Sequence, residues 1–145
     1  MNNTSTISCY IGTTDPLANL GIEVWLDNTQ LHNDDHVTHT QKFEWTFDDE
    51  EAEHELRFVM KNKTEDHTII DDDGNISVDA RLTIKDVSFD EIELGQIFID
   101  QAEYTHDFNG TGSSVTDKFY GEMGCNGTIK LKFSTPIYLW LLENM

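Results

Sequence analysis

The chain has 145 residues, the length of one domain and enough to bury roughly two thirds of the surface its unfolded form exposes. Twenty-eight Asp and Glu against nine Lys and Arg give a formal charge of -19, which repels phosphate backbones and anionic headgroups and excludes nucleic acid and membrane surfaces as natural partners. With 37% hydrophobic residues the composition is that of a packed domain and not of a disordered acidic chain, and the charge leaves cation binding, salt tolerance or docking on a basic surface open.

The start, Met1-Asn2-Asn3-Thr4-Ser5, carries no basic and apolar leader pattern, and no run reaches the length of a membrane span, so the expected product is soluble and intracellular. The two cysteines, Cys9 and Cys125, lie far apart without CxxC spacing and read as buried thiols. Ile22, Val24 and Leu26 alternate with Glu23 and Trp25, then Asp27-Asn28 supplies a tight turn and Thr29-Gln30-Leu31 a return strand. Trp25 falls on the polar side beside Glu23, as a sugar-stacking platform or as part of a second apolar layer or intersubunit contact. From His32 to His39, three imidazoles and two carboxylates have the chemistry of a zinc or nickel site, with a plain polar loop as the alternative.

Phe43, Trp45 and Phe47 share one face of a strand, and Lys42, Glu44 and Thr46 the other. An acidic stretch from Asp48 to Glu53 leads to a second alternation, Leu56, Phe58 and Met60 against Arg57, Val59 and Lys61, and the pair predicts a hairpin. Calcium fits the charge better than zinc, because hard oxygen ligands cluster at Asp71, Asp73, Asn75 and Asp79, beside Asp72, and again at Asp48, Asp49, Glu50 and Glu51. The first set is no EF-hand: with Gly74 in the glycine position, the terminal ligands would be Ile69 and Ala80.

The segment Ala80 to Val87 predicts a strand with Leu82 and Ile84 on one face, and Gln96 to Ile99 a short strand after the Gly95 break. Residues 105–127 hold five of the nine glycines, interleaved with Phe108, Phe119, Tyr120 and Met123, and read as a structured loop or two irregular strands in which function is expected. Ile129, Leu131 and Phe133 form a further strand. The run Ile137 to Leu142, apolar on both sides, reads as a central strand or a short terminal helix with both faces covered, docked on the body or on a neighbouring subunit.

Many short strands with polar turns at roughly ten-residue spacing give an all-β fold, a two-sheet antiparallel sandwich of jelly-roll type, as a single domain over 1–145. No G-x-S-x-G occurs, and Gly110-Thr111-Gly112 opens no helix, so the expectation is a binding or assembly domain and not an enzyme. Its expected contact residues are Trp25, Phe119, Tyr120, Tyr138 and Trp140. No cofactor is required by the sequence; calcium at Asp71, Asp73, Asn75 and Asp79 is the one ion its chemistry favours.

Two resemblances add to this reading. Tyr104-Thr105-His106-Asp107-Phe108-Asn109-Gly110, Phe119-Tyr120-Gly121, Gly124-Cys125-Asn126-Gly127 and the ending Pro136 to Met145 resemble small proteins encoded by contractile-tailed phages of marine cyanobacteria. That resemblance implies a structural protein of the virion, made in the host cytoplasm, which associates with itself and with other virion proteins as a capsid decoration, tail, baseplate or fibre component. Glu23-Val24-Trp25-Leu26-Asp27-Asn28 and the segment from Phe43 to Met60 are similar to calcium-dependent carbohydrate-binding modules of jelly-roll type. This second resemblance implies a glycan as partner.

Overall fold

The computed structural model describes residues 4–63, 68–70, 72, 76–106, 114–124 and 126–144, with the backbone alone for 68–70 and 76–79. The strands are β1 (Thr4–Thr13), β2 (Gly21–Leu26), β3 (Thr29–Asp34), β4 (Gln41–Asp48), β5 (Ala52–Lys61), β6 (Thr68–Ile70), β7 (Ile76–Asp79), β8 (Leu82–Phe89) and β9 (Ile92–Glu93). After them come α1 (Gln96–Gln101), β10 (Glu103–His106), β11 (Val115–Lys118), β12 (Glu122–Met123), β13 (Gly127–Thr135) and α2 (Ile137–Asn144).

Two antiparallel sheets face each other. One has the order β12-β8-β1-β4, with β9 folded back on β8; the other has the order β11-β10-β13-β5-β2-β3. A separate ribbon pairs β6 with β7. The period-two patterns explain the layers: Ile7, Cys9 and Ile11 of β1 and Leu82 and Ile84 of β8 point inward against Leu56, Phe58 and Met60 of β5 and Ile129, Leu131 and Phe133 of β13. The fold is therefore the all-β, two-sheet antiparallel sandwich that the alternations imply.

The β2–β3 hairpin turns at Asp27, whose φ of 54° is the left-handed conformation that Asp tolerates. The other expected hairpin does not form. β4 pairs with β1 in one sheet, with Cys9 opposite Phe43, while β5 lies between β13 and β2 in the other. The acidic link between them crosses from sheet to sheet. Alternation names the buried face of a strand but not its partner, so two facing strands joined by a short link look like a hairpin in sequence.

Gln96 to Ile99 is also not a strand, since it belongs to α1, which buries Phe98 and carries a Gln96 to Asp100 side-chain hydrogen bond of 2.9 Å one turn apart. Three consecutive apolar residues, Ile97, Phe98 and Ile99, have no period to separate helix from strand. The terminal run forms α2, with Ile137, Trp140 and Leu141 buried at helical spacing. Its outer side is uncovered: Tyr138, Leu139 and Leu142 are exposed, contrary to the expectation that both faces are packed. Inside, Trp140 closes an aromatic cluster with Phe89 and Phe133, at ring distances of 5.8 and 6.1 Å.

Candidate functional site

The described part of the Gly-rich segment borders a hollow on the surface of the sandwich. Between the end of β11 in one sheet and the start of β12 in the other the chain bends at Gly121, whose φ of 112° is closed to residues with a side chain. The Gly121 carbonyl accepts the Ile84 N–H at 3.0 Å, fastening the turn to β8. Along this link Phe119 enters the core, edge-on to Phe98 and Tyr104, and Tyr120 is left 76% exposed. On the other side, Met123 is fully buried opposite Leu82. Tyr120 is thus an exposed ring on a turn anchored by a buried side chain at each end, so little ordering entropy remains to be lost when something binds to it.

Around Tyr120 lies a hollow of about 580 Å³, walled by Arg81, Lys85, Lys118 and Glu122. A smaller one of about 240 Å³ shares Lys85, Tyr120 and Gly121 with it and reaches in to Phe98 and Phe119. Arg81 Nη1 donates to Glu122 Oε2 at 2.9 Å, and Lys118 Nζ stands 3.7 Å from Asp100. At the rim the buried Lys63 donates its ammonium to the Gly124 carbonyl, and its backbone N–H and carbonyl both bond the Asn126 amide. On the outer face of the first sheet, the register sets Tyr10 directly between Lys42 of β4 and Lys85 of β8, which also lines the hollow. Lys42 Nζ sits 6.0 Å from the centre of the Tyr10 ring.

A second cavity, about 470 Å³, opens at the other end over Phe133 and Trp140, with Asp27, His54 and Lys132 in its wall. Here His54 Nδ1 is 2.7 Å from Asp27 Oδ2, and His54 Nε2 is 3.3 Å from the Thr135 hydroxyl. An acid, an imidazole and a hydroxyl in this order invite comparison with a hydrolase, but the hydroxyl is not available as a nucleophile. Thr135 is buried and donates to the Glu50 carbonyl, and Asp27 also accepts the Glu55 N–H at 2.8 Å. The array clasps the β2–β3 turn to the start of β5 and the end of β13, a structural use of the same groups.

The other sequence candidates are placed as follows. Trp25 is part-buried on the outer face of the second sheet, its N–H bonded to Glu23 at 3.2 Å and its ring covered by the Arg57 guanidinium at 5.6 Å. It is not an open platform. Phe119 and Trp140 are core residues, 1% and 6% exposed, so neither side chain reaches a partner: the register turns one inward, and the helical stripe turns the other. Tyr120 and Tyr138 are exposed.

Asp71, Asp73 and Asn75 lie outside the described residues, as does the Asp79 side chain, although Asp79 itself ends β7. Among the described residues no group of three or more His, Cys, Asp or Glu could hold a metal ion. The imidazoles of His32, His36 and His39 separate, to the Phe43 ring, the Pro16 carbonyl and the Thr38 hydroxyl. In the acidic link, Asp48 accepts the Glu50 N–H and Asp49 the Ile137 N–H, so these carboxylates hold a turn and the N-terminus of α2. The cationic wall of the Tyr120 groove is not legible in sequence, because Arg81 beside β8 and Lys85 on it meet Lys118 of β11, from the other sheet, only in the folded chain.

No protein-family model matches the sequence, and no curated protein matches it. Two solved structures share the fold. One is the selenomethionine form of vCBM60, described within a circular-permutation link between two families of calcium-dependent carbohydrate-binding modules, with a TM-score of 0.55 at 10% identity over 88% of this chain and 89% of that one. The other is vCBM60 in complex with galactobiose, with a TM-score of 0.53 at 11% identity over 87% and 96% of the two chains.

Proposed function

We propose that this chain is a non-catalytic carbohydrate-binding module that takes a glycan in the groove beside Tyr120. The observation that carries the reading is a tyrosine ring 76% exposed on an anchored turn, over a hollow rimmed with polar charge. A sugar ring presents C–H groups on its faces and hydroxyls around its edge. The first stack on an aromatic ring; the second exchange hydrogen bonds with ammonium, guanidinium and carboxylate groups of the kind Lys85, Arg81 and Glu122 provide. The shared fold with carbohydrate-binding modules supports the same reading. A binding role also fits the use of Asp27, His54 and Thr135 as a clasp.

Calcium belongs to this proposal through the β6–β7 ribbon, where Asp71, Asp73, Asn75 and Asp79 offer the hard oxygen ligands the ion takes. A glycan microarray, run with calcium and with chelator, tests both parts. Binding to at least one glycan class is expected, with a melting temperature that calcium raises and chelator lowers. A blank array sinks the glycan reading, and an unchanged melt sinks the ion.

A second reading, an assembly component of a phage particle, draws support from the exposed apolar side of α2 at Tyr138, Leu139 and Leu142. Mass spectrometry of purified virions, together with sedimentation of the isolated protein, tests it. Absence from particles and a monomer at high concentration would remove it.

A further inference from the structure

We propose that the Tyr120 groove selects an anionic glycan, one whose sugar rings carry carboxylate or sulfate groups. This rests on the glycan reading above and narrows its ligand. With 28 carboxylates for nine cations, acid is in about threefold excess, and among the described residues Arg57, Lys61, Arg81 and Lys118 each pair with a carboxylate. Lys61 bonds Asp35 at 2.8 Å, Arg57 lies 3.5 Å from Glu55, and Lys130 and Lys132 stand opposite Glu103 and Glu55 across the second sheet.

On the face that carries Tyr10 and Tyr120, Arg81 and Lys118 are paired in the same way, but two lysines are not. Lys42 and Lys85 flank Tyr10 on the two strands beside β1, and among the described residues neither forms an ion pair. Lys85 then joins Arg81 and Lys118 around Tyr120, with Glu122 as the one acid in that wall among the described residues. Asp86 and Glu93 line only the smaller hollow.

Two exposed tyrosines, each next to exposed lysines, therefore lie along one path. Such a path offers stacking to sugar rings and charge-assisted hydrogen bonds to acidic substituents. The molecule as a whole, at a net charge of -19, repels polyanions at long range. A polyanion bound in spite of that field must be held by short-range contacts in the groove.

The test is affinity electrophoresis of the full chain, with calcium present, on two pairs of polymers that differ only in charge. One pair is polygalacturonate and its fully methyl-esterified form; the other is dextran sulfate and dextran. Retardation by either charged polymer and not by its neutral partner is expected, and which pair responds tells carboxylate from sulfate. Replacing Lys42 and Lys85 together by Gln should weaken that binding by about tenfold or more, while both sites, being exposed, leave the melting temperature unchanged. Equal retardation by the neutral partner, or binding unaltered in the double variant, overturns the charge selection and leaves the glycan reading standing. Binding to no glycan in these gels or on the array overturns both.

Discussion

Asp27 holds more of the fold than its place in a polar turn suggests. Its carboxylate bonds His54 and the Glu55 N–H, its carbonyl accepts Arg57 Nη2 at 2.7 Å, and its backbone takes a φ of 54°. Asp27→Ala should therefore lower unfolding stability by about 2 kcal/mol in denaturant titration, well beyond an ordinary surface change. Cys9 gives a second residue-level expectation. Burial pushes its thiol from 9.0 up to about 12, so the unfolded thiol ionises where the folded one does not. Its contribution to stability is complete below pH 9 and is lost as pH rises from 9 towards 12, at up to about 1.4 kcal/mol per pH unit. Comparing the slope of stability against pH with that of Cys9→Ala checks this; parallel slopes would refute it. Sequence picked out Tyr120 but could not tell it from Phe119: both lie in the link between β11 and β12, and only the folded chain shows that Phe119 is inside and Tyr120 outside.

At the scale of elements, legibility followed periodicity. β2, β5, β8 and β13 were readable because each buries one face and wets the other. The composition of α2 left strand and short helix both open: the inward stripe Ile137, Trp140, Leu141 is helical, but Tyr138, Leu139 and Leu142 make the outer side apolar as well. The two sides should differ sharply on substitution. Trp140→Ala, which empties part of the cluster with Phe89 and Phe133, should cost about 3–5 kcal/mol, whereas Leu142→Ser should stay within about 0.5 kcal/mol by the same unfolding measurement. Comparable losses at both sites would mean that the outer side is covered. The β4–β5 connection was illegible for a different reason, since nothing local in an acidic link records that it changes sheets.

Across the whole molecule, charge both excludes and localises. Twenty-eight carboxylates repel one another over the surface, so raising sodium chloride from about 0.01 M to about 1 M, which shortens the screening length from ~30 to ~3 Å, should raise the melting temperature. A melt that falls with salt would show that the local ion pairs outweigh the repulsion. Composition alone could state the excess of acid but not where cations stand, because strand register sets Lys42 and Lys85 beside Tyr10 and the folded chain brings Lys85, Arg81 and Lys118 around Tyr120. That convergence makes the groove, and not the conspicuous acidic turns, the place where ligand contact is expected. The direct test is titration calorimetry of the native chain and of Tyr120→Ala against a glycan that the array identifies. The native chain should bind and Tyr120→Ala should not, with equal melting temperatures; binding that survives the loss of this ring would contradict the account.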